Sequence, residues 1–424
     1  EPEMNIVNLK WQKSTTDLGV PLHTYNMPHA NSVLFGVAVN VGSRDENWPN
    51  EAGMAHALEH MIFQGAGKFS DTEAIGAYIK RVGGYLNAYT NKEQTFFFCC
   101  VPAEHIERAI HLVSRQIIQP LLPEEKIETE MQNIVQEIRG KFDDPETRIV
   151  HLCMKSLYGQ HPLGKEVLGT EESVSKFTKT DFVGFHNRFY KPNNLNIIVV
   201  GKISNEDTLL LLLNRYFSDI KASDDINMRH PALFTTGNKP FVIENRDIHQ
   251  LHLTLAVTTC PGESRHFNIL DVFETMISTG MSAPLFIEVR NKLGLCYTIS
   301  ASNISESDLG SFVIYTATDE KLYKKALEAI FRVIEENRYN NDLLSEAKEF
   351  LKGRLLIKHD GLSSIFMDAA NAIRIFKRPL SKEELLKTVE NVSINDIGRV
   401  VDLYLNPSRI SHCYIVPQGV TITP

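Results

Sequence analysis

The chain has 424 residues, 43% of them hydrophobic and 23% charged, with a formal net charge of -8. One hydrophobic core does not ordinarily serve so long a chain, so two domains of about 200 residues each are expected. No apolar run approaches the roughly 20 residues of a membrane-spanning helix, and the dispersed basic residues argue against nucleic acid and weakly for neutral or basic ligands. Six cysteines (Cys99, Cys100, Cys153, Cys260, Cys296, Cys413) show no paired metal or redox spacing and fit free thiols in a reducing compartment. The opening EPEMNIVNLK lacks the basic, apolar and small-residue succession of a signal peptide. A cytoplasmic protein is therefore expected, unless a mitochondrial or export segment once preceded it, and Met4 is a candidate natural start.

Two strands, VPLHTYN and SVLFGVAVNVG, precede a helix containing MAHALEHMIFQG, Met54 to Gly65. SDTEAIGAYIKRVGG follows, a helix with Ser70 and Glu73 at capping-box spacing and Gly83 and Gly84 at its end. YLNAYT and QTFFFCCV read as strands. The span from Pro102 to Gln119 reads as a helix stopped by Pro120, and that from about Pro123 to Phe142 as another, ahead of the loop GQHPLGKEVLG. Residues 217 to 240 are rich in Asp, Ser, Pro and Gly without periodicity, and are assigned as the linker between domains at 1-216 and 241-424. An offset of 215 sets HALEHMIFQG (56 to 65) over DVFETMISTG (271 to 280), matching Glu59 to Glu274, Met61 to Met276, Ile62 to Ile277 and Gly65 to Gly280. Asp271 and Thr275 stand where the histidines would fall, as in a duplicated domain of which only the first copy kept a metal.

His56 and His60, four residues apart, stack on one helix face about 6 Å apart at Cβ, within reach of one ion, and Glu59 lies on the same side. Met54, Leu58, Met61 and Ile62 form an apolar stripe on the opposite face. Imidazole nitrogens suit zinc, and a carboxylate one residue before the second ligand can hold and deprotonate a water without itself entering the coordination sphere. A solvated face that carries His, Glu and His by accident has about one chance in twenty-five in a chain with 15 histidines. His105, His111, His151 and His186 lack a partner at ligand spacing and are expected at the surface or in packing. Two histidines leave zinc short of a third protein ligand, for which a carboxylate is the natural candidate. In PEEKIETEMQNIVQEIRGKF, Ile127, Met131, Ile134 and Ile138 define a buried stripe, and Glu130 and Glu137, two turns apart, border it on the same side. Spacing does not choose between them.

HALEH, followed 77 residues after His60 by the glutamate of NIVQEI, with GSRDE upstream and HPLGKEVLGT downstream, resembles the inverted zincins, the pitrilysin and mitochondrial processing peptidase family. The resemblance extends over nearly the whole chain. It implies an α+β fold of two homologous α/β sandwich domains, each a mainly antiparallel sheet flanked by helices, the N-terminal one binding zinc. By it, His56, His60 and Glu137 hold the zinc, Glu59 is the general base, and Glu130 stands behind the ligands and orients the site. GMSAPLFIEVRNKLGLCYTI is similar to the family stretch in which an arginine and a tyrosine complete the active site, here Arg290 and Tyr297, both donors able to stabilise an oxyanion. GGYLNAYT resembles the family's substrate-pairing edge strand, which puts Asn87 and Ala88 beside a bound peptide.

The best-known members join four such domains in one chain, whereas this chain has two, as do the processing peptidases and the shorter bacterial members. A closed chamber then implies two chains. Both motif sets occur in one chain, which favours a homodimer over a heterodimer with a homologous subunit. The expected function is zinc-dependent endopeptidase cleavage of peptides or unstructured segments. The alternative is a non-catalytic structural or partner subunit of the same fold, against which intact His56, Glu59, His60 and Glu137 speak.

Overall fold

The computed structural model describes residues 9–221, 229, 231 and 241–423. Met4 and most of the expected linker, residues 222–228, 230 and 232–240, lie outside the described residues. Strands β1 (Trp11–Thr15), β2 (Pro21–Asn26), β3 (Ser32–Val39), β4 (Tyr85–Thr90), β5 (Thr95–Pro102) and β6 (Leu195–Gly201) form one sheet in the order β1-β2-β6-β3-β5-β4. Strands β7 (Phe241–Arg246), β8 (Leu251–Thr259), β9 (Cys296–Ser305), β10 (Gly310–Thr318) and β11 (Ser411–Pro417) form the other, in the order β7-β11-β8-β10-β9. In each sheet one pair is parallel, β2 with β6 and β7 with β11, and the other pairs are antiparallel. With β1 set aside the two orders correspond strand for strand, so the duplication is written in the topology. β1 itself was not expected from sequence: beyond Trp11 it is exposed, so its residues lack the alternation by which a half-buried strand is recognised.

Helices α1 (Met54–Ile62), α2 (Thr72–Lys80), α3 (Ile106–Ile118) and α4 (Glu124–Asp143) follow the expected spans to within a few residues. Two ends differ. The N-cap of α2 is Asp71, whose Oδ1 accepts from Ala74 N at 2.8 Å, and not Ser70, whose hydroxyl is spent on Asp71 Oδ2; a carboxylate is the stronger acceptor for an orphan amide. The helix expected from Pro102 begins at Ile106, after a 3-10 turn at Ala103–His105.

Strands β3 and β8 are buried along nearly their whole length, which is why they read as unbroken apolar runs. One face of the first sheet packs on α1 and α3. Its other face is covered from the far end of the chain, by Ile365, Phe366, Ala369, Ala370 and Ile373 of the helix Leu362–Phe376, which pack on Leu34, Ala38, Phe96, Ile198 and Val200. Gly36 makes room for this helix, since a Cβ there would lie 2.4 Å from the Phe366 ring. The second sheet borrows in the opposite direction: Ile149, Leu152 and Cys153 of α5 (Pro145–Tyr158) pack on Ala256, Val313, Tyr315, Cys413 and Ile415. Instead of the single cut expected at 217-240, the compact units are Glu1–Ile138, Glu166–His230 and Lys358–Ser381 for the first, and Arg139–Lys165, Pro231–Ile357 and Lys382–Pro424 for the second. Among the described residues no helix is long and apolar enough to cross a membrane.

Both tryptophans, Trp11 and Trp48, belong to the first unit, so tryptophan fluorescence reports on that unit alone. Phe366→Ala should destabilise it by about 3–5 kcal/mol, measured as a lower urea midpoint of the fluorescence transition.

Candidate metal centre

The helix α1 starts from a crowded corner. Gly53, its N-cap, has φ 88°, and a Cβ there would lie 2.3 Å from Leu168 O. Gly169 faces it with φ 76°, its own Cβ position only 2.1 Å from Ala52 O. Glycine is required at both by the close approach as well as by the left-handed backbone. Ser173 Oγ donates to Ala52 O at 2.7 Å and closes the same contact. Glu46 then supplies the acceptor that the first turn of a helix needs, taking Gly53 N at 2.9 Å and Ala55 N at 3.0 Å. Burial drives its carboxyl well above the usual range, with those two amides pulling the other way. Two stretches on which the resemblance rests, GSRDE and HPLGKEVLGT, thus meet at the start of the histidine helix.

Met54, Leu58, Met61 and Ile62 sink into the core at 1% exposure or less, which turns His56, Glu59 and His60 toward α4. Their partners there are set by the α4 stripe, with Ile127, Met131 and Ile134 buried and Ile138 packed beside them. Glu137 Oε2 lies 3.7 Å from His56 Nε2, and Glu130 Oε2 lies 3.5 Å from His60 Nδ1. The two imidazoles are 4.7 Å apart at their centroids. One donor atom each from His56, His60 and Glu137 lies within 4.8 Å of the others, and among the described residues it is the one such group. Two imidazoles and a carboxylate are a known donor set for catalytic zinc, which keeps a fourth position open. The residues present therefore fit the ion. Glu130 lies outside that group and faces the imidazole nitrogen of His60, where a carboxylate orients a ligand.

Glu59 also lies outside the group of three. Its Oε2 accepts the hydroxyl of Thr90, at the end of β4. Burial raises the Glu59 carboxyl above its ordinary value, opposed by the Thr90 hydrogen bond and by His60. The strand β4 is the outer strand of its sheet, with Asn87 exposed and Ala88 half-buried. Ala88 N donates to the Asn87 side-chain oxygen at 2.9 Å. In the second unit, Arg290 belongs to a π-helical segment, Leu285–Lys292. Its guanidinium lies 4.9 Å from the Tyr297 ring centroid and 4.6 Å from that of Phe286, so arginine and tyrosine form one assembly. Tyr297 is 75% exposed, at the start of β9, the outer strand of the second sheet. Glu46, Thr90 and Phe286 were not singled out by sequence reasoning. Each sits inside a motif already quoted or beside one, yet its role depends on a tertiary neighbour.

Residues 23–171 match the family model described as insulinase (peptidase family M16), and residues 176–351 match that of the peptidase M16 inactive domain. A protein of Rickettsia felis named an uncharacterized zinc protease is 32% identical over 388 residues, covering 89% of this chain and 91% of its own. The chain belongs to peptidase family M16. An uncharacterized zinc protease of Mycobacterium tuberculosis is 28% identical to this M16 chain over 414 residues, covering 96% of it and 93% of the relative. Two solved structures share the fold: a protease from Helicobacter pylori (TM-score 0.88, 19% identity, 96% of this chain and 100% of that one) and a peptidase M16 inactive domain from Pseudomonas fluorescens (TM-score 0.87, 18% identity, 98% and 100%). The inactive-domain match, which begins within the first half, includes Asp271 and Thr275, which stand at the positions of the histidines.

The corner that seats α1 is open to a direct test. Gly169→Ala places a methyl against Ala52 O in a left-handed backbone, and should destabilise the first unit by about 1–3 kcal/mol, read as a lower thermal midpoint.

Proposed function

We propose that this M16 member is a zinc-dependent endopeptidase acting on peptides or unstructured protein segments. The reading is carried by the convergence of donor atoms from His56, His60 and Glu137 within 4.8 Å, beside a glutamate that is not one of them. These three residues would hold the zinc, which when bound supplies the Lewis acidity that acidifies a water and polarises a peptide carbonyl. Glu59 orients the water, takes its proton and delivers it to the leaving amine. Glu130 fixes the orientation of His60. Substrate pairs as an added strand with the outer edge of β4, along Asn87 and Ala88. Arg290 and Tyr297 donate to the oxyanion of the tetrahedral intermediate. Two copies of the chain enclose the chamber as a homodimer; in support, the chain carries both the zinc motif and the arginine–tyrosine pair.

Cleavage of an unstructured peptide should be lost on treatment with a chelator and return with zinc. Glu59→Gln should retain zinc while turnover falls about 100 to 10,000-fold. Glu137→Gln should weaken zinc binding far more than Glu130→Gln, whose loss should be about 10 to 100-fold. Zinc titration of the three variants, beside peptide cleavage by Glu59→Gln and by the chelated and zinc-restored wild type, checks all of these outcomes; a zinc-loaded chain that cleaves no member of a peptide panel would instead be the non-catalytic subunit.

Tyr297→Phe should lower turnover about 100 to 1,000-fold with zinc content unchanged, and Arg290→Ala similarly. If the pair serves the zinc of the partner chain, mixing the Glu59→Gln and Tyr297→Phe variants under conditions of subunit exchange restores activity. Exchange without recovery would assign each site to a single chain.

A further inference from the structure

We propose that Thr90 is the positioning residue of the general base, and that its own place is fixed by a carboxylate buried between two arginines in the turn that follows it. The inference rests on the reading of Glu59 given above. A glutamate has three side-chain torsions to settle, and little to settle them precisely unless one oxygen is held. Thr90 is buried at 7% exposure, and its hydroxyl donates to Glu59 Oε2. That leaves Oε1 to face the water that Glu59 would deprotonate.

Thr90 can do this only if it is itself immobile, and the turn after it is unusually constrained. Asn91 Oδ1 accepts from Glu93 N at 2.8 Å and Gln94 N at 2.7 Å. Glu93 is fully buried, with Arg44 Nη1 at 2.5 Å from one carboxylate oxygen and Arg374 Nη1 at 2.8 Å from the other. The segment that supplies Arg44 also bonds the turn through its backbone, Ser43 N to Asn91 O at 3.2 Å and Arg44 N to Lys92 O at 2.8 Å. A Cβ on Gly42 would lie 2.3 Å from Asn91 O, so the two segments are in direct contact. Glu46 of that same segment caps α1. Residues 42–46 therefore bear on both ends of one hydrogen bond: the helix that carries Glu59 and the turn that follows Thr90. The strand proposed to pair with the peptide ends on the residue that aims the base.

The test compares Thr90→Val, which keeps the β-branched shape suited to a strand but has no donor, with Thr90→Ser, which keeps the donor. The valine variant should bind zinc at wild-type stoichiometry, lose about 10 to 100-fold in kcat, and keep KM within about twofold. Its crystal structure should show the Glu59 carboxylate displaced, and the serine variant should recover most of the turnover. Should valine not fold, Thr90→Ala repeats the comparison. Wild-type kcat, an unmoved Glu59, loss of zinc, or a rise in KM alone would each overturn the assignment. Glu59→Gln is assayed in parallel: if it remains active the base reading fails and this inference falls with it, whereas an inactive Glu59→Gln beside an unimpaired Thr90→Val refutes the Thr90 role alone.

Discussion

A helix of nine residues is too short to be stable by itself, and the helix that carries His56, Glu59 and His60 has nine. Its position is therefore dictated by what holds its ends and its back. The back is the apolar stripe, which enters a core continuous with β3, β5 and α3. The N-terminal end is held by the Glu46 carboxylate and by two glycines whose backbones touch where no side chain fits. Only with both in place do the imidazoles meet the carboxylates of α4 at 3.5 and 3.7 Å. Most of the segments outside α1 and α4 that bear on the candidate centre serve this placement.

Much of the centre was legible because helix geometry is local. The His-Glu-His spacing and the α4 stripe each define a face from sequence alone, and both faces are found where periodicity puts them. The choice between Glu130 and Glu137 was not legible from spacing, because residues two turns apart share a face, and it rested on the family resemblance alone. Only the approach of the two helices sets one carboxylate against His56 and the other against Nδ1 of His60. GSRDE was recognisable by resemblance, but its physical content is entirely tertiary: Arg44 reaches Glu93, Glu46 reaches α1, and Asp45 pairs with Arg229. The coverings of the sheets were opaque for a similar reason. An amphipathic helix announces that it needs an apolar surface, not which one, so α5 and Leu362–Phe376 give no sign in their own residues that each packs on the sheet formed by the other half of the sequence.

The duplicated halves show one frame with different residues at corresponding positions. Helix Arg265–Ser278 occupies the place of α1 in its unit, with Glu274 at the position of Glu59. There, burial and the neighbouring Asp271 raise the Glu274 carboxyl to about 7, and Asp271 and Thr275 stand at the positions of the histidines. In the second half the exposed Tyr297, proposed above as an oxyanion donor, lies on β9, the counterpart of the strand that ends on Thr90. The outer strands of both sheets thus carry residues of the proposed site, where a side chain can change without disturbing a core that is closed on both faces.

The borrowed helices bear on how the chain can be made. A protein emerging from the ribosome offers its N-terminal part first, and here all six strands of the first sheet are complete by Gly201. One apolar face of that sheet, with Leu34, Phe96, Ile198 and Val200, then waits for the helix that ends at Phe376. In the meantime α5 is already synthesised, an amphipathic helix whose own sheet does not yet exist. Neither half can mature as an independent domain during translation, and the nascent chain carries exposed hydrophobic surface until Leu362–Phe376 has been made. A product truncated before Leu362 would leave that surface open to chaperones and proteases.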